Sequence, residues 1–125
     1  MSRAQDFADA LQRLEQDRDL DAFLSRFAAD VTLVRPEPGG EEHGPDGARR
    51  FWQAYLDQFE TIGSSFGRLV DAEQYGELEW VSQGRLGTGR DISYAGVSLL
   101  EHDGEGAVVR FATYYDTSAF TTALS

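Results

Sequence analysis

The sequence contains no cysteine and no lysine, only three prolines, and no apolar run long enough to span a membrane. Each absence removes a class of explanation. Without cysteine there is no disulfide framework, no thiolate nucleophile and no cysteine-based zinc site. The longest apolar candidates, such as Val31 to Val34, are strand-sized, far short of the ~20 residues of a membrane helix. The opening residues MSRAQDFADA lack the apolar stretch of a signal peptide, so a cytoplasmic location is expected. All 11 basic residues are arginine against 22 acidic ones, a formal net charge of −11. That balance argues against nucleic acid or an anionic membrane as partner, because phosphate binding needs a clustered basic surface. The acidic excess reads as solvated surface.

What remains is enough for a core. The 125 residues fit one domain, residues 1–125, and the 41% hydrophobic content includes 8 Phe, 5 Tyr and 2 Trp. Flat rings can line a pocket as well as fill a core.

Periodicity divides the chain into two halves. Phe7, Leu11 and Leu14 lie at helical spacing within residues 4–16. Asp17-Arg18-Asp19 interrupts that helix with residues that favour caps and turns. A second short helix is predicted with Leu20, Phe23, Leu24 and Phe27 on one apolar face, followed by a β-branched strand at Val31 to Val34. The stretch Glu37 to Gly47, with Pro36 just before it, reads as a loop, and Asp46 is placed to cap a third helix over about residues 47–61. From Gly63 on, strand-like segments at about 65–75, 77–86, 91–102 and 107–117 are separated by turns at Gly76, Gly87-Thr88-Gly89 and Asp103 to Gly106. Helices first and an antiparallel meander after them is an α+β pattern.

Three pattern matches fail on context. Gly63-Ser64-Ser65-Phe66-Gly67 fits G-x-S-x-G, but follows a helix and enters a strand. Asp17-x-Asp19-x-Asp21 has Ala22 and Ala28 where a calcium loop needs Gly and Glu. Gly87-Thr88-Gly89 lies between strands and lacks a third glycine.

Three longer stretches carry a resemblance: RDLDAFLSRFAADVTLVRP (18–36), HGPDGARRFWQAY (43–55) and SLLEHDGEGAVVRFATYYDT (98–117). In this order they resemble the nuclear transport factor 2-like superfamily, and within it the SnoaL-like polyketide cyclases and ketosteroid isomerases. The resemblance implies a cone: a curved, mainly antiparallel (mixed) sheet packed against three N-terminal helices. It says less about activity, since one fold hosts many functions. The ketosteroid isomerase positions are changed, with Arg35 in place of the base, Leu11 in place of the tyrosine donor and Ser98 near the protonated-Asp position. The stretch Glu79 to Arg85 offers no clear Arg-x-Asp of the epoxide hydrolases of this fold.

The SnoaL-like resemblance instead points to Asp116 as an acid/base at the end of the last strand. Beside tyrosines in an apolar cone its pKa would be raised; the alternative is a carboxylate that caps or salt-bridges the strand end. Strand alternation puts Asp116, Tyr114 and Ala112 on one face and Tyr115, Thr113 and Phe111 on the other. The expected ligand site is Tyr114 beside Asp116, with Trp52, Tyr55, Trp80 and Tyr94 as walls and His43 at the mouth, its pKa raised by Glu41 and Glu42; the alternative for His43 is a solvent-exposed loop histidine without a role. Aromatics at such spacing also serve as plain core. Arg35, Arg85 and Arg110 are either charge partners of Asp116 or exposed. Chemistry of this type needs neither metal nor cofactor, and none is implied.

The expected function is binding of a small hydrophobic, cyclic or carbonyl-bearing molecule, with or without cyclase- or isomerase-type catalysis. The alternative is a non-catalytic binding or dimerisation module. The resemblance also implies a homodimer, paired through an outer sheet face bearing Val81, Val97, Val109, Phe111 and Tyr115.

Overall fold

The computed structural model describes residues 2–120. Helix α1 covers Arg3–Asp17, α2 Leu20–Leu24 and α3 Gly44–Asp57. The strands are β1 (Phe27–Val34), β2 (Glu41–His43), β3 (Phe59–Ala72), β4 (Tyr75–Leu86), β5 (Asp91–His102) and β6 (Val108–Tyr115), followed by a 3₁₀ turn over Thr117–Phe120.

Local chemistry explains the helix ends. Ser2 caps α1 by accepting from the Gln5 N–H, and its hydroxyl donates to Asp71 on β3. Arg18 closes α1 in the left-handed region at φ 58°, and its N–H donates to the Leu14 carbonyl. The Arg18 guanidinium then donates to the carbonyls of Leu56, Phe59 and Glu60, tying the α1–α2 corner to the end of α3. Asp19 caps α2 through the Ala22 N–H.

The sheet runs β2-β1-β6-β5-β4-β3 and is open and curved. Its pairs are antiparallel except β1 with β6, which is parallel. Register shifts in β3 at Phe59/Thr61 and Phe66/Leu69 bend that strand around the helices. On the inner face Leu78, Trp80 and Ser82 of β4 and Tyr94, Ser98 and Leu100 of β5 are buried, with polar or exposed neighbours between most of them. Phe7 of α1, Phe23 of α2, Phe51 and Trp52 of α3 and Phe111 of β6 form one edge-to-face and stacked ring cluster, which holds the helices on the sheet. No helix among the described residues is long and apolar enough to cross a membrane.

Several boundaries differ from the sequence reading. Phe27 opens β1 instead of completing α2, although its ring still packs on Phe7 and Phe23. The expected loop contains the short strand β2, recruited as an antiparallel partner for the edge of β1. Helix α3 starts at Gly44, so His43 is its N-cap residue and Asp46 lies inside the first turn. It ends at Asp57, and β3 begins already at Phe59, because pairing along nearly the whole of β4 outweighs the helical spacing of the last aromatic residues.

Candidate functional site

Between α1, α3 and the inner face of the sheet lies a cavity of about 50 Å³. Leu11 comes from α1; Phe51, Trp52 and Tyr55 from α3; Trp80 and Ser82 from β4; Tyr94 and Ser98 from β5; Phe111, Thr113 and Tyr115 from β6. Ser64 of β3, Arg35 after β1 and Gln58 after α3 complete the wall. The free space suits a few water molecules and is far below the several hundred Å³ of an ordinary ligand pocket. A larger guest has to displace part of the wall.

Two hydrogen-bond chains reach the wall. The first ends on Glu15, a carboxylate only 6% exposed on the buried side of α1. Glu15 accepts from the Tyr55 hydroxyl (2.6 Å), the Ser64 hydroxyl (2.6 Å) and the Ser64 N–H (2.9 Å). Ser64 and Ser82 are in turn 2.6 Å apart through their hydroxyl oxygens. A buried carboxylate requires such a set of donors, since leaving it unpaired is costly. In the second chain the Trp80 indole N–H donates to Ser98 (2.9 Å), and Ser98 donates to Thr113 (2.9 Å). The indole N–H of Trp52 finds no acceptor among the described residues.

Over Tyr94 and Tyr115 the 3₁₀ turn lays the ring of Phe120, with centroids 4.9 and 5.8 Å away. The Tyr115 hydroxyl donates to Glu37 (3.0 Å), whose carboxylate lies 3.8 Å from Arg35. Arg35 also stacks its guanidinium over Phe51, 5.0 Å from the ring centroid. Burial, reinforced by nearby carboxylates, pushes the phenols of Tyr55, Tyr94 and Tyr115 up. All three therefore stay protonated at neutral pH.

The structure gathers Trp52, Tyr55, Trp80 and Tyr94 around this one cavity. Other expected site residues lie elsewhere. Tyr114 is 41% exposed on the opposite face of β6. The alternation holds with its two faces exchanged: Phe111, Thr113 and Tyr115 face the cavity, so Phe111 and Tyr115 are not outer-face residues. Asp116 follows the strand, is exposed, and accepts the Ser118 N–H at 2.9 Å. Its hydrogen bonds to Ser118 hold its carboxyl below the usual range, opposite to the raised value expected inside a cone. This is the strand-end capping geometry, outside the cavity wall. His43 sits at the surface between Thr32 (3.2 Å) and Glu41 (2.9 Å). Arg85 pairs with Glu60 and Asp91, and Arg110 with Glu101.

Sequence reasoning missed Glu15, Ser64, Ser82 and Thr113 as parts of the site. Glu15 did carry a signal: it stands four residues after Leu11, so a charge falls on the apolar stripe of α1. The serines had none, because a polar residue on a strand looks the same whether it faces water or a cavity.

The SnoaL-like domain family model matches residues 4–115. No curated protein matches the sequence closely enough to count as a relative. Among solved structures, an NTF2-like protein of unknown function from Burkholderia pseudomallei K96243 is 18% identical with a TM-score of 0.84, over 100% of this chain and 99% of that one. TerC, co-crystallised with polyporic acid, is 20% identical at 0.81, over 97% of each chain. RV0760c from Mycobacterium tuberculosis, in complex with estradiol-17beta-hemisuccinate, is 14% identical at 0.79, over 95% of this chain and 98% of that one. At such identities these likenesses concern the fold. With helices on a curved mixed sheet, a cavity lined by aromatic side chains and the family match over nearly the whole length, the chain belongs to the SnoaL-like domain family and has the NTF2-like fold.

Proposed function

We propose that this domain binds a small, flat, largely hydrophobic molecule in the cavity between α1, α3 and the sheet, without itself carrying out acid/base chemistry through Asp116. The observation that carries the reading is polar capacity left over inside an aromatic enclosure. The Trp52 N–H has no acceptor among the described residues, yet the residue is buried in the cavity wall. An unmet buried donor costs about 1–3 kcal/mol, which a guest with an acceptor, or water, recovers. Five aromatic side chains from α3, β4, β5 and β6, those of Phe51, Trp52, Trp80, Tyr94 and Phe111, offer their faces to such a guest. The small molecules bound by TerC and by the Mycobacterium tuberculosis protein support a guest of this kind.

A guest larger than the free space has to move part of the wall. The Phe120 ring packs on the lining residues Tyr94 and Tyr115, and Glu37 accepts from the Tyr115 hydroxyl, so entry on this side would displace both. A thermal-shift and tryptophan-fluorescence titration with polycyclic carbonyl compounds tests the reading, because both tryptophans line the cavity. Binding that changes the emission and is equal in wild type and Asp116→Asn is expected. Binding lost in Asp116→Asn would return the carboxylate to the site, and no response to any compound would leave a filled, non-binding core.

The reading includes a homodimer, paired through the outer sheet face where Val81 and Tyr114 remain 46% and 41% exposed. A monomeric mass at micromolar concentration would remove that part.

A further inference from the structure

We propose that the C-terminal turn inhibits its own domain: the Phe120 ring occupies space that a flat guest needs, so guest binding and docking of the turn exclude one another. The proposal rests on the small-molecule reading above and concerns the regulation of that site.

The free space forces a choice of what yields. About 50 Å³ holds water but not a ring. The rings that line the cavity all sit on α3, β4, β5 or β6, where displacing one disrupts close packing over a whole element. Phe120 is placed differently. It is half-buried and carried by a four-residue 3₁₀ turn beyond the last strand. Even so it packs on three rings, as a bound aromatic molecule would: Tyr94 at 4.9 Å, Tyr115 at 5.8 Å and Phe59 at 6.0 Å between centroids. Tyr94 and Tyr115 are lining residues, so the turn already uses ring surface on which a guest would stack.

The docking is held by a latch. Arg90, in the connection between β4 and β5, donates through Nη2 to the carbonyls of Ala119 and Phe120, both at 3.2 Å. That is the long limit of an N–H···O bond. At its other end the turn closes on itself. The Asp116 carboxylate accepts the Ser118 N–H (2.9 Å) and the Asp116 carbonyl accepts the Ala119 N–H (3.2 Å). These bonds are internal to the turn and survive when it swings away; the Arg90 bonds and the ring contacts do not. Asp116 thereby serves as the cap of a movable element. Exclusion works in both directions: the factor by which the docked turn weakens a guest is the factor by which the guest weakens docking. Binding therefore releases residues 117–120 from the sheet.

The test compares wild type, Arg90→Leu and Phe120→Ala in equilibrium titrations with 2-naphthol, read by tryptophan fluorescence. Arg90→Leu should bind about fivefold more tightly than wild type, the worth of one net hydrogen bond removed from the competing state. Phe120→Ala should gain at least as much. Destabilisation alone has the opposite sign, because it lowers the fraction competent to bind. In wild type, proton NMR contacts between the Phe120 and Tyr94 rings should be present in the free protein and vanish at saturating 2-naphthol. Binding seen in the variants and not in wild type would support the same conclusion. An affinity unchanged or weaker in either variant, or ring contacts that persist at saturation, would overturn the exclusion and leave the binding reading intact. No binding by wild type or by either variant would overturn both.

Discussion

Trp80 lies across the bare α-carbon of Gly96, its partner on the neighbouring strand: a methyl group at Gly96 would stand 2.6 Å from Trp80 Cζ2 and clash with the Tyr114 carbonyl. The absent side chain is what lets the indole lie flat enough to donate to Ser98. Gly96→Ala is expected to cost roughly 1–3 kcal/mol by overpacking and to alter tryptophan emission before any ligand is added. Urea unfolding and emission spectra check this; an unchanged spectrum would mean that the indole has room to spare.

Glu15 is the second pressure point. Glu15→Ala strands the Tyr55 hydroxyl and the Ser64 N–H in the interior and should cost about 3 kcal/mol. Glu15→Gln keeps the volume and an acceptor oxygen, so its cost should be clearly smaller. Denaturant midpoints of the two variants decide; equal losses would show that charge, and not the acceptor, is what the site needs.

Removing the ring that covers Tyr94 and Tyr115 should open the cavity. Phe120→Ala is expected to raise the association rate of 2-naphthol in stopped-flow fluorescence several-fold, at a stability cost of roughly 1–2 kcal/mol. An unchanged rate would move the entrance elsewhere on the wall.

His102 makes stability depend on pH. Its imidazole is buried, with Nδ1 unpartnered among the described residues. Burial, with the positive Arg3 nearby, holds its pKa below the ordinary 6.5, although Asp71 and Asp103 pull the other way. As pH falls below 6.5, the unfolded chain takes up the proton before the folded one does. Stability is therefore complete above 6.5 and declines below it. Asp71, itself lowered by the Ser2 hydroxyl, weakens only nearer its ordinary 3.8. The difference in urea midpoint between pH 7.5 and 5.5 should shrink in His102→Leu; an unchanged difference would assign the effect to other groups.

The three helices, β1 and the strand meander were legible in the sequence, because periods of 3.6 and 2 follow directly from backbone geometry, whereas the three-residue β2 was too short to show a period; Trp52, Tyr55, Trp80 and Tyr94, read as possible walls or plain core, line the cavity. The faces were not. Period two separates Phe111, Thr113 and Tyr115 from Ala112 and Tyr114 but does not say which set is inward; helix packing decides that. Asp116 looked like a strand residue because strand propensity does not mark where pairing stops, and β6 ends one residue earlier, at Tyr115. The role of Glu15 depends on Ser64 and Tyr55, which lie 49 and 40 residues away along the chain.

The parallel pairing of β1 with β6 joins residues 27–34 to residues 108–115. During synthesis β1 therefore waits for most of the chain before it gains its inner neighbour, and only β2 is available to it sooner. Loop closure over that span makes this contact a slow, late event. Until it forms, one edge of β1 stays open to pairing with other chains, so a nascent or C-terminally trimmed form is the one most prone to aggregate.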